Sequence, residues 1–138
     1  MVLTTSLSSQ LLESLKSYDN QYIGLVYKIE CLQNGRKYVG QTSGLCFQFL
    51  PNVRRFQEHR NALIRGVHKS KLLQADWDLY GEHSFTTEVI EIVPLQRFRY
   101  CSYPSRYKSL LLMKERYWQI WLDGVYNHPK LQISMIKI

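Results

Sequence analysis

Two tyrosines of this sequence could act together as acid–base groups on one face of a predicted β-hairpin. Tyr27 and Tyr38 lie on opposite sides of Asn34-Gly35, a dipeptide that favours a two-residue hairpin turn. Such a turn pairs Cys31 with Tyr38, and because side chains alternate along a strand, it directs both phenols to the same face. A phenol accepts a proton when nearby positive charge favours the phenolate. In most strands, however, tyrosine is simply a core or edge aromatic residue.

Arg55 and His59 could bind a phosphate from one face of a helix. They are four residues apart in a predicted helix, so their side chains project from the same face. The guanidinium offers a fork of donors to a phosphoryl group, and imidazole exchanges a proton near neutral pH. The same spacing is also common on ordinary solvated helix faces, so the pair alone does not decide between the two interpretations.

Glu115 lies among apolar residues of a predicted helix and needs a partner for its charge. An unpaired buried carboxylate costs on the order of several kcal/mol. Two partners remain open, a nearby lysine or arginine and a bound metal ion. One carboxylate with substrate oxygens and waters is a common way to hold Mg²⁺. The apolar neighbours at helical spacing are Leu111, Leu112, Trp118 and Leu122.

Asn127 follows the predicted helix stop at Gly124 and also has two interpretations. It could be an ordinary turn residue, a role in which asparagine is frequent. Its amide could instead orient a phosphate or a ligand carboxylate. Both interpretations stay open at the level of the sequence.

Hydrophobic periodicity and turn residues predict the elements that must position these side chains. A short amphipathic helix at 8–17 precedes the hairpin. The strand at 85–93 is rich in threonine, valine and isoleucine, and it should extend the sheet of the hairpin. We therefore predict one domain over 1–138 of the α/β (α+β) class, with an N-terminal helical extension at 1–21 and a tail at 128–138. The other predicted elements are strands at 24–31 and 36–41 and helices at 53–65, 70–80 and 106–122.

The composition favours nucleic acid or an anionic membrane surface as the partner. The 138 residues include 18 Lys and Arg against 11 Asp and Glu, a formal charge of +7 that attracts polyanions. No apolar run approaches the roughly 20 residues of a membrane span, and the first residues lack the order of a secretory signal. We therefore expect a cytoplasmic protein outside the membrane. Cys31, Cys46 and Cys101 are widely spaced, and we expect reduced thiols without a disulfide or zinc site.

A basic aromatic segment at 94–108 is a candidate for contact with DNA. It breaks the periodicity on both sides, contains no acidic residue and alternates cations with aromatic side chains. We interpret it as an insertion between the last strand and the last helix. The predicted DNA-binding residues are Arg97, Arg99, Arg106 and Lys108 of this segment, together with Lys69 and Lys71 near the start of the predicted helix at 70–80.

Taken in order, these motifs resemble the GIY-YIG nuclease family. The resemblance extends from Gly24 to Asn127, and it depends on the ordered set rather than on any single piece. The matching pieces are Gly24-Leu25-Val26-Tyr27, Tyr38-Val39-Gly40, Arg55 with His59, Tyr80-Gly81 with Phe85, Glu115 and Tyr126-Asn127.

The chain departs from the family pattern in several places, among them Ser70, which stands where many members have asparagine after a histidine. Leu25-Val26 and Val39 stand where the family has its namesake isoleucines, which are conservative packing changes. The stretch before Arg55 is longer than the family pattern, so Arg54 competes with it as the catalytic arginine. The spacing to His59 favours Arg55.

The resemblance implies a small α/β domain with a central three-stranded antiparallel sheet flanked by helices. It also implies one divalent ion, Mg²⁺ or Mn²⁺, bound by Glu115. These parts suit the hydrolysis of a phosphodiester, where positioning and electrostatics supply most of the acceleration.

The same resemblance implies a role for each remaining site residue. Tyr27 would be the general base that activates water, and Tyr38 would support its hydrogen bonds. Arg55 would stabilise the phosphorane-like transition state, and His59 would assist proton transfer or position a phosphate oxygen. Asn127 would help to order the site.

The sequence thus favours a metal-dependent DNA endonuclease, related to homing or restriction enzymes, that acts on double-stranded DNA. One active centre per chain suggests a homodimer on DNA or successive nicks for a double-strand break. The alternative is a non-catalytic nucleic-acid-binding module with a vestigial nuclease site, against which the intact Tyr27, Arg55, His59 and Glu115 argue. Binding to a membrane surface through the short helix at 8–17 is the weakest interpretation, because that helix carries charges of both signs.

Overall fold

The computed structural model describes residues 22–45, 51–94 and 104–129. The predicted helix at 8–17, the cations Arg97 and Arg99, and the tail beyond residue 129 lie outside these residues. The described chain forms three strands, three α-helices and a short 3₁₀ turn. In chain order these are β1 (Tyr22–Cys31), β2 (Lys37–Leu45), α1 (Pro51–Ile64), α2 (Lys71–Tyr80), the 3₁₀ turn (Glu82–Ser84), β3 (Phe85–Pro94) and α3 (Pro104–Trp121).

The three strands form one antiparallel sheet in the order β2-β1-β3, with β1 at its centre. The predicted fold class, a small three-stranded antiparallel sheet flanked by helices, is therefore confirmed. Because β1 is paired on both sides, only β2 and β3 have a strand edge. The candidate site residues meet around the edge of β2.

The predicted two-residue turn is wrong, because a four-residue loop joins β1 to β2. The N–H of Cys31 donates to the carbonyl of Arg36 at 2.8 Å, and Leu32 to Gly35 make the connection. The N–H of Gly35 returns to the carbonyl of Cys31 at 2.8 Å, and Gly35 has φ +73°. The one positive φ falls on the glycine, while Asn34 Oδ1 accepts from the N–H of Arg36 at 3.0 Å. The loop thus uses Asn34-Gly35, but as its last two residues.

The longer loop shifts the strand register by two residues. Tyr38 faces Ile29 and Gly40 faces Tyr27, whereas the two-residue turn pairs Tyr38 with Cys31. A shift of two leaves the alternation of side chains unchanged, because its period is also two. The prediction that Tyr27 and Tyr38 share one face of the sheet is therefore confirmed.

The two faces of the sheet carry different helices. On the face of Tyr27 and Tyr38, α1 and α2 cover the strands and bury Phe56, Leu63 and Trp77 in the core. On the other face, Trp118 of α3 and Leu122, which follows the helix, pack against a second cluster. The buried residues of that cluster are Val26, Val39 and Val125, and Ile90 also packs against it.

Local signals mark the boundaries of α2, and α3 begins at a proline, which is common at a first helical position. Ser70 caps α2, its Oγ accepting from the N–H of Leu73 at 3.3 Å, and Gly81 ends it with φ +80°. α3 begins at Pro104, so Arg106 and Lys108 lie in its first turns rather than in a loop. No helix among the described residues is long and apolar enough to cross a membrane.

Gly40 is required because the phenol of Tyr27 lies directly over it. A Cβ at this position would be 2.5 Å from Tyr27 Oη and 2.7 Å from Cζ. The phenol ring is fully buried and packs edge-on against Phe56, with ring centroids 5.0 Å apart, so it has no free space to move into. Glycine at residue 40 therefore follows from the position of one side chain.

We expect Gly40→Ala to lower the free energy of unfolding by about 1–3 kcal/mol, since overpacking displaces a buried ring. The control is Gln41→Ala, whose side chain points to the opposite face and whose cost should stay within about 0.5 kcal/mol. Urea unfolding at pH 7 measures both. Equal stability of Gly40→Ala and wild type would contradict the packing of Tyr27 on Gly40.

Candidate active site

Tyr27 is the centre of a hydrogen-bonded cluster between the sheet and α1. It lies in the middle strand with none of its surface exposed. Its Oη is 2.5 Å from His59 Nε2 and accepts from Arg55 Nε at 3.2 Å. Arg55 and His59 project from the same face of α1, and that face packs on the Tyr27 side of the sheet. The structure therefore brings together three of the predicted site residues at one oxygen atom.

The surroundings of Tyr27 have opposing effects on the pKa of its phenol. Burial raises the pKa of Tyr27 well above its ordinary value, and the negative charge of Glu115 adds to this. The guanidinium of Arg55 lowers the pKa of Tyr27, but its effect is smaller than that of burial. At neutral pH the phenol keeps its proton in this state. Glu115 is therefore near enough for its charge to act on the phenol.

Arg55 connects the buried phenol to the surface. Its side chain is 32% exposed and pairs with Glu58, Nη1 to Oε2 at 2.8 Å. It lines a cavity of about 280 Å³ with His59 and also a second cavity of about 220 Å³. Arg54, in contrast, is 90% exposed and pairs only with Glu58 among the described residues, at 3.5 Å. Of the two arginines, Arg55 is the one that reaches Tyr27.

His59 continues the cluster to a second histidine that sequence reasoning missed. His59 Nδ1 lies 2.8 Å from His68 Nε2, and both rings are buried. Burial lowers the pKa of His59 to about 3, with further lowering by Arg55, and burial lowers the pKa of His68 to about 4. Both rings are therefore neutral near pH 7. The only sequence signal for His68 is its place two residues before the Ser70 cap, and that spacing does not reveal its contact.

Tyr38 lies between the histidine pair and a larger cavity. Its ring meets His59 and His68 edge-on, with centroids 5.1 and 5.4 Å apart. The same residue lines a cavity of about 320 Å³ on the other side. The other lining residues are Lys69, Ser70, Lys71, Leu72, Glu115, Tyr126 and Asn127.

Glu115 is half-buried in the wall of this cavity. Its Oε1 accepts from Gln119 Nε2 at 2.9 Å, and burial raises its pKa while Lys69 works in the opposite direction. Leu111 is buried beside it, but Leu112 is 43% exposed and points outward, so the predicted ring of apolar neighbours is incomplete. No ion pair to Glu115 forms within the part of the chain that the structure describes.

The donor set around Glu115 fits a weakly held divalent cation. The described residues contain no group of three or more His, Cys, Asp or Glu that could hold a metal ion by itself. Mg²⁺ commonly binds through one carboxylate, waters and substrate phosphate, and it does not require such a group. A half-buried carboxylate that has no ion-pair partner in the described ranges, and that faces an open cavity, meets that requirement.

Asn127 orders the site through the backbone of β2. Its Oδ1 accepts from the N–H of Val39 at 3.1 Å, and its Nδ2 donates to the carbonyl of Val39 at 2.6 Å. Gln119 Nε2 donates to the same carbonyl at 3.3 Å. Asn127 thus occupies the position of a neighbouring strand at the edge of β2. Its amide holds the strand that carries Tyr38.

The edge of β2 explains how residues from opposite faces of the sheet meet. Tyr27 and Tyr38 belong to the face covered by α1 and α2, whereas Glu115 comes from α3 on the other face. Since β2 is an edge strand, the cavity can pass around it and be lined from both faces. Lys69 lines this cavity and the one beside Arg55, so it joins the two parts of the site.

The predicted DNA-binding residues divide into two groups. Lys69 and Lys71 have exposed side chains and line the Glu115 cavity. Lys108 is exposed in the first turns of α3, and Arg106 lies in the same helix. Arg97 and Arg99 lie outside the described residues.

No protein-family model, curated protein or solved structure matches this chain. The geometry of the site and the chemistry of its residues therefore carry the functional argument.

The buried histidines predict a loss of stability in mild acid. In the unfolded chain a histidine has a pKa near 6.5, whereas the folded values are about 3 and 4 for His59 and His68. As the pH falls below about 6.5, these histidines bind protons in the unfolded chain but not in the folded chain, so the free energy of unfolding decreases. Each histidine contributes up to about 1.4 kcal/mol per pH unit.

We expect this decrease between pH 6.5 and 5 in urea unfolding of the wild type, and a shallower one for His68→Gln. His83→Gln, which removes an exposed histidine, should show the same change of the free energy of unfolding with pH as the wild type. The same slope for wild type and His68→Gln would argue against a neutral, buried His68.

Proposed function

We propose that this chain is a metal-dependent DNA endonuclease of the GIY-YIG type, homing- or restriction-like, that hydrolyses phosphodiester bonds. The observation that carries the proposal is the convergence of Arg55 and His59 on the oxygen of Tyr27, beside a cavity that contains Glu115. These groups come from different elements and from both faces of the sheet. Tyr38 links the two parts, because its ring meets His59 and the same residue lines the cavity with Glu115.

In the proposed reaction, the phenol of Tyr27 first loses its proton to solvent, and the phenolate then takes a proton from the attacking water. The water oxygen forms a bond to phosphorus, the bond from phosphorus to the leaving strand's oxygen breaks, and that oxygen takes a proton from solvent. Arg55 places its charge beside the phosphate and stabilises the extra negative charge of the transition state. His59 holds the oxygen of Tyr27 in place. The proton taken from water restores the neutral phenol of Tyr27, which is its resting form.

The proposed metal ligand is Glu115, with Mg²⁺ or Mn²⁺ as the ion. When bound, the ion would supply positive charge to a phosphate oxygen. Glu115 has an oxygen bonded to Gln119, which orients the carboxylate toward the cavity. Lys69 in the same cavity is suited to a neighbouring phosphate.

Access to Tyr27 requires a movement of Arg55. The phenol has no exposed surface, and Arg55 connects its oxygen to the neighbouring cavities. A phosphate competes with Glu58 for the guanidinium, because both are anionic acceptors that suit its fork of donors. Binding of DNA would thus draw Arg55 outward and open the site to the attacking water.

Double-stranded DNA is the proposed partner. The formal charge of +7 and the exposed Lys69 and Lys71 beside the cavity support it. One site per chain would cut one strand, so we propose either a homodimer or two successive nicks for a complete break. The buried free thiol of Cys31 suits a reducing compartment, which agrees with a cytoplasmic enzyme.

A second candidate is a nucleic-acid-binding module without catalytic activity. The complete burial of Tyr27, with the raised pKa of its phenol, favours this candidate, since such a phenol is a poor base at neutral pH. The two candidates share the DNA surface and differ in the role of Glu115 and its metal ion.

Replacement of Glu115 separates the two candidates. We expect Glu115→Gln to lower Mg²⁺- or Mn²⁺-dependent nicking of supercoiled plasmid by at least about 100-fold, because it removes the proposed metal ligand but keeps the side-chain shape. Affinity for DNA should stay equal or rise slightly, since a negative charge is lost. Glu88→Gln on β3 is the matched control and should cut like wild type. Nicking by Glu115→Gln at the wild-type rate would exclude the metal role.

Replacement of two lysines tests the DNA surface. We expect Lys69→Ala with Lys71→Ala to weaken DNA binding and to reduce the slope of log affinity against log salt by about 0.9 for each lost phosphate contact. The control is Lys28→Ala, because Lys28 already pairs with Glu30 and Glu88, both at 3.2 Å. Titrations of labelled duplex at several salt concentrations measure the slopes. An unchanged slope in the double variant would remove this cavity rim from the DNA interface.

A further inference from the structure

A continuous chain of hydrogen bonds runs from a backbone amide to the oxygen of Tyr27. The N–H of Ser70 lies 3.0 Å from His68 Nδ1, and His68 Nε2 lies 2.8 Å from His59 Nδ1. His59 Nε2 lies 2.5 Å from Tyr27 Oη. Both ring nitrogens of each histidine therefore take part in this series of hydrogen bonds. The direction of every bond depends on which nitrogens carry protons.

The backbone amide decides this direction. An amide N–H can only donate, so His68 Nδ1 must accept from Ser70 and cannot carry a proton. Burial keeps both rings neutral near pH 7, and a neutral imidazole has one N–H. His68 therefore has its proton on Nε2 and donates to His59 Nδ1. His59 in turn has its proton on Nε2 and donates to Tyr27.

Tyr27 consequently receives two donors. His59 Nε2–H and Arg55 Nε–H both point at its Oη, and arginine has no lone pair with which to accept in return. The phenolic proton must point away from both neighbours. In this state His59 has no free lone pair facing the phenol, so it cannot be the group that takes this proton. Both donors, in contrast, stabilise the oxygen after the proton has left.

We propose that His68 is a positioning residue, which fixes His59 as a hydrogen-bond donor to Tyr27 and thereby directs the phenolic proton away from both His59 and Arg55. The catalytic part of this inference rests on the proposed function, since it assumes that Tyr27 exchanges a proton during cutting. The assignment of the proton positions does not rest on it. The nine-residue separation of His59 and His68 does not match a helical repeat. The contact exists because the loop between α1 and α2 folds back against α1, where Gln74 Oε1 accepts from the N–H of His68 at 3.1 Å.

Two substitutions at His68 should have opposite effects on the direction in which the hydrogen bonds between residue 68, His59 and Tyr27 are donated. His68→Gln keeps an amide N–H that can donate to His59 Nδ1. His68→Glu supplies only acceptor oxygens, so it draws the proton of His59 onto Nδ1 and leaves Nε2 as an acceptor. His83→Gln is the control, because it removes an exposed histidine and leaves the cluster intact.

The first measurement is NMR of ¹⁵N-labelled histidine in the full chain at pH 7, which distinguishes the two neutral forms of imidazole. We expect the Nε2–H form of His59 in the wild type, in His68→Gln and in His83→Gln, and the Nδ1–H form in His68→Glu. Observation of Nδ1–H or of a charged ring for His59 in the wild type would overturn the proposal. That measurement needs no folded variant and no DNA.

The second measurement is the rate of plasmid nicking with Mg²⁺ or Mn²⁺. We expect His68→Glu to lower kcat at least about ten-fold with KM for DNA unchanged, because a correctly protonated and placed group contributes about 10²–10⁴-fold. His68→Gln should restore most of the rate, which loss of packing alone does not predict. A His68→Glu protein that shows the Nδ1–H form and cuts at the wild-type kcat would overturn the catalytic role. A wild-type chain that cuts no DNA would instead overturn the proposed function, and the histidine spectra would still decide the positions of the protons.

Discussion

The packing of α1 against the central strand is the interaction on which the rest of the site depends. Tyr27 has no exposed surface, and a buried hydroxyl needs hydrogen-bond partners inside the protein. α1 supplies both partners, Arg55 and His59, from a single face. The same burial leaves no room for a Cβ at Gly40 beneath the ring. One side chain thus constrains a helix face and the adjacent strand.

A second constraint comes from the edge of β2. An edge strand has backbone groups without partners in the sheet, and exposed edges invite unwanted pairing. Here Asn127 and Gln119 satisfy the N–H and carbonyl of Val39 with their side chains. This closes the middle of the edge without adding a full strand. The cavity can then pass around β2, and Glu115 of α3 reaches the same space as Tyr38.

Burial moves the titratable groups of the cluster toward their uncharged forms. It raises the pKa of Tyr27 and Glu115, and it lowers the pKa of His59 and His68. The phenol of Tyr27 and both imidazoles are thus uncharged near pH 7. The side chains that line the neighbouring cavities include the cations Arg55 and Lys69 and the anions Glu58 and Glu115. An anionic ligand would therefore compete with these two carboxylates for the cations.

Local signals in the sequence were sufficient for the element order and for the shared face of Tyr27 and Tyr38. The predicted face of each side chain was correct although the predicted turn was wrong. The loop has two more residues than predicted, and side chains alternate along a strand with a period of two. The Ser70 cap and the Gly81 stop marked α2 because capping is a local interaction. The spacing of Arg55 and His59 likewise placed both on one helix face. Each of these features depends on residues close together in the chain.

Contacts between distant residues were decided only by the tertiary structure. His68 is hydrogen-bonded to His59 because the loop between α1 and α2 folds back against α1, and Asn127 is hydrogen-bonded to Val39 because the chain after α3 returns to the edge of β2. No periodicity records either contact, since the partners are separated by a loop or by most of the domain. The orientation of Leu112, away from Glu115, depends in the same way on how α3 is rotated on the sheet. The sequence by itself determined which groups stand on which element and face. The packing of those elements decided which groups touch, because helix rotation and loop path depend on the whole core.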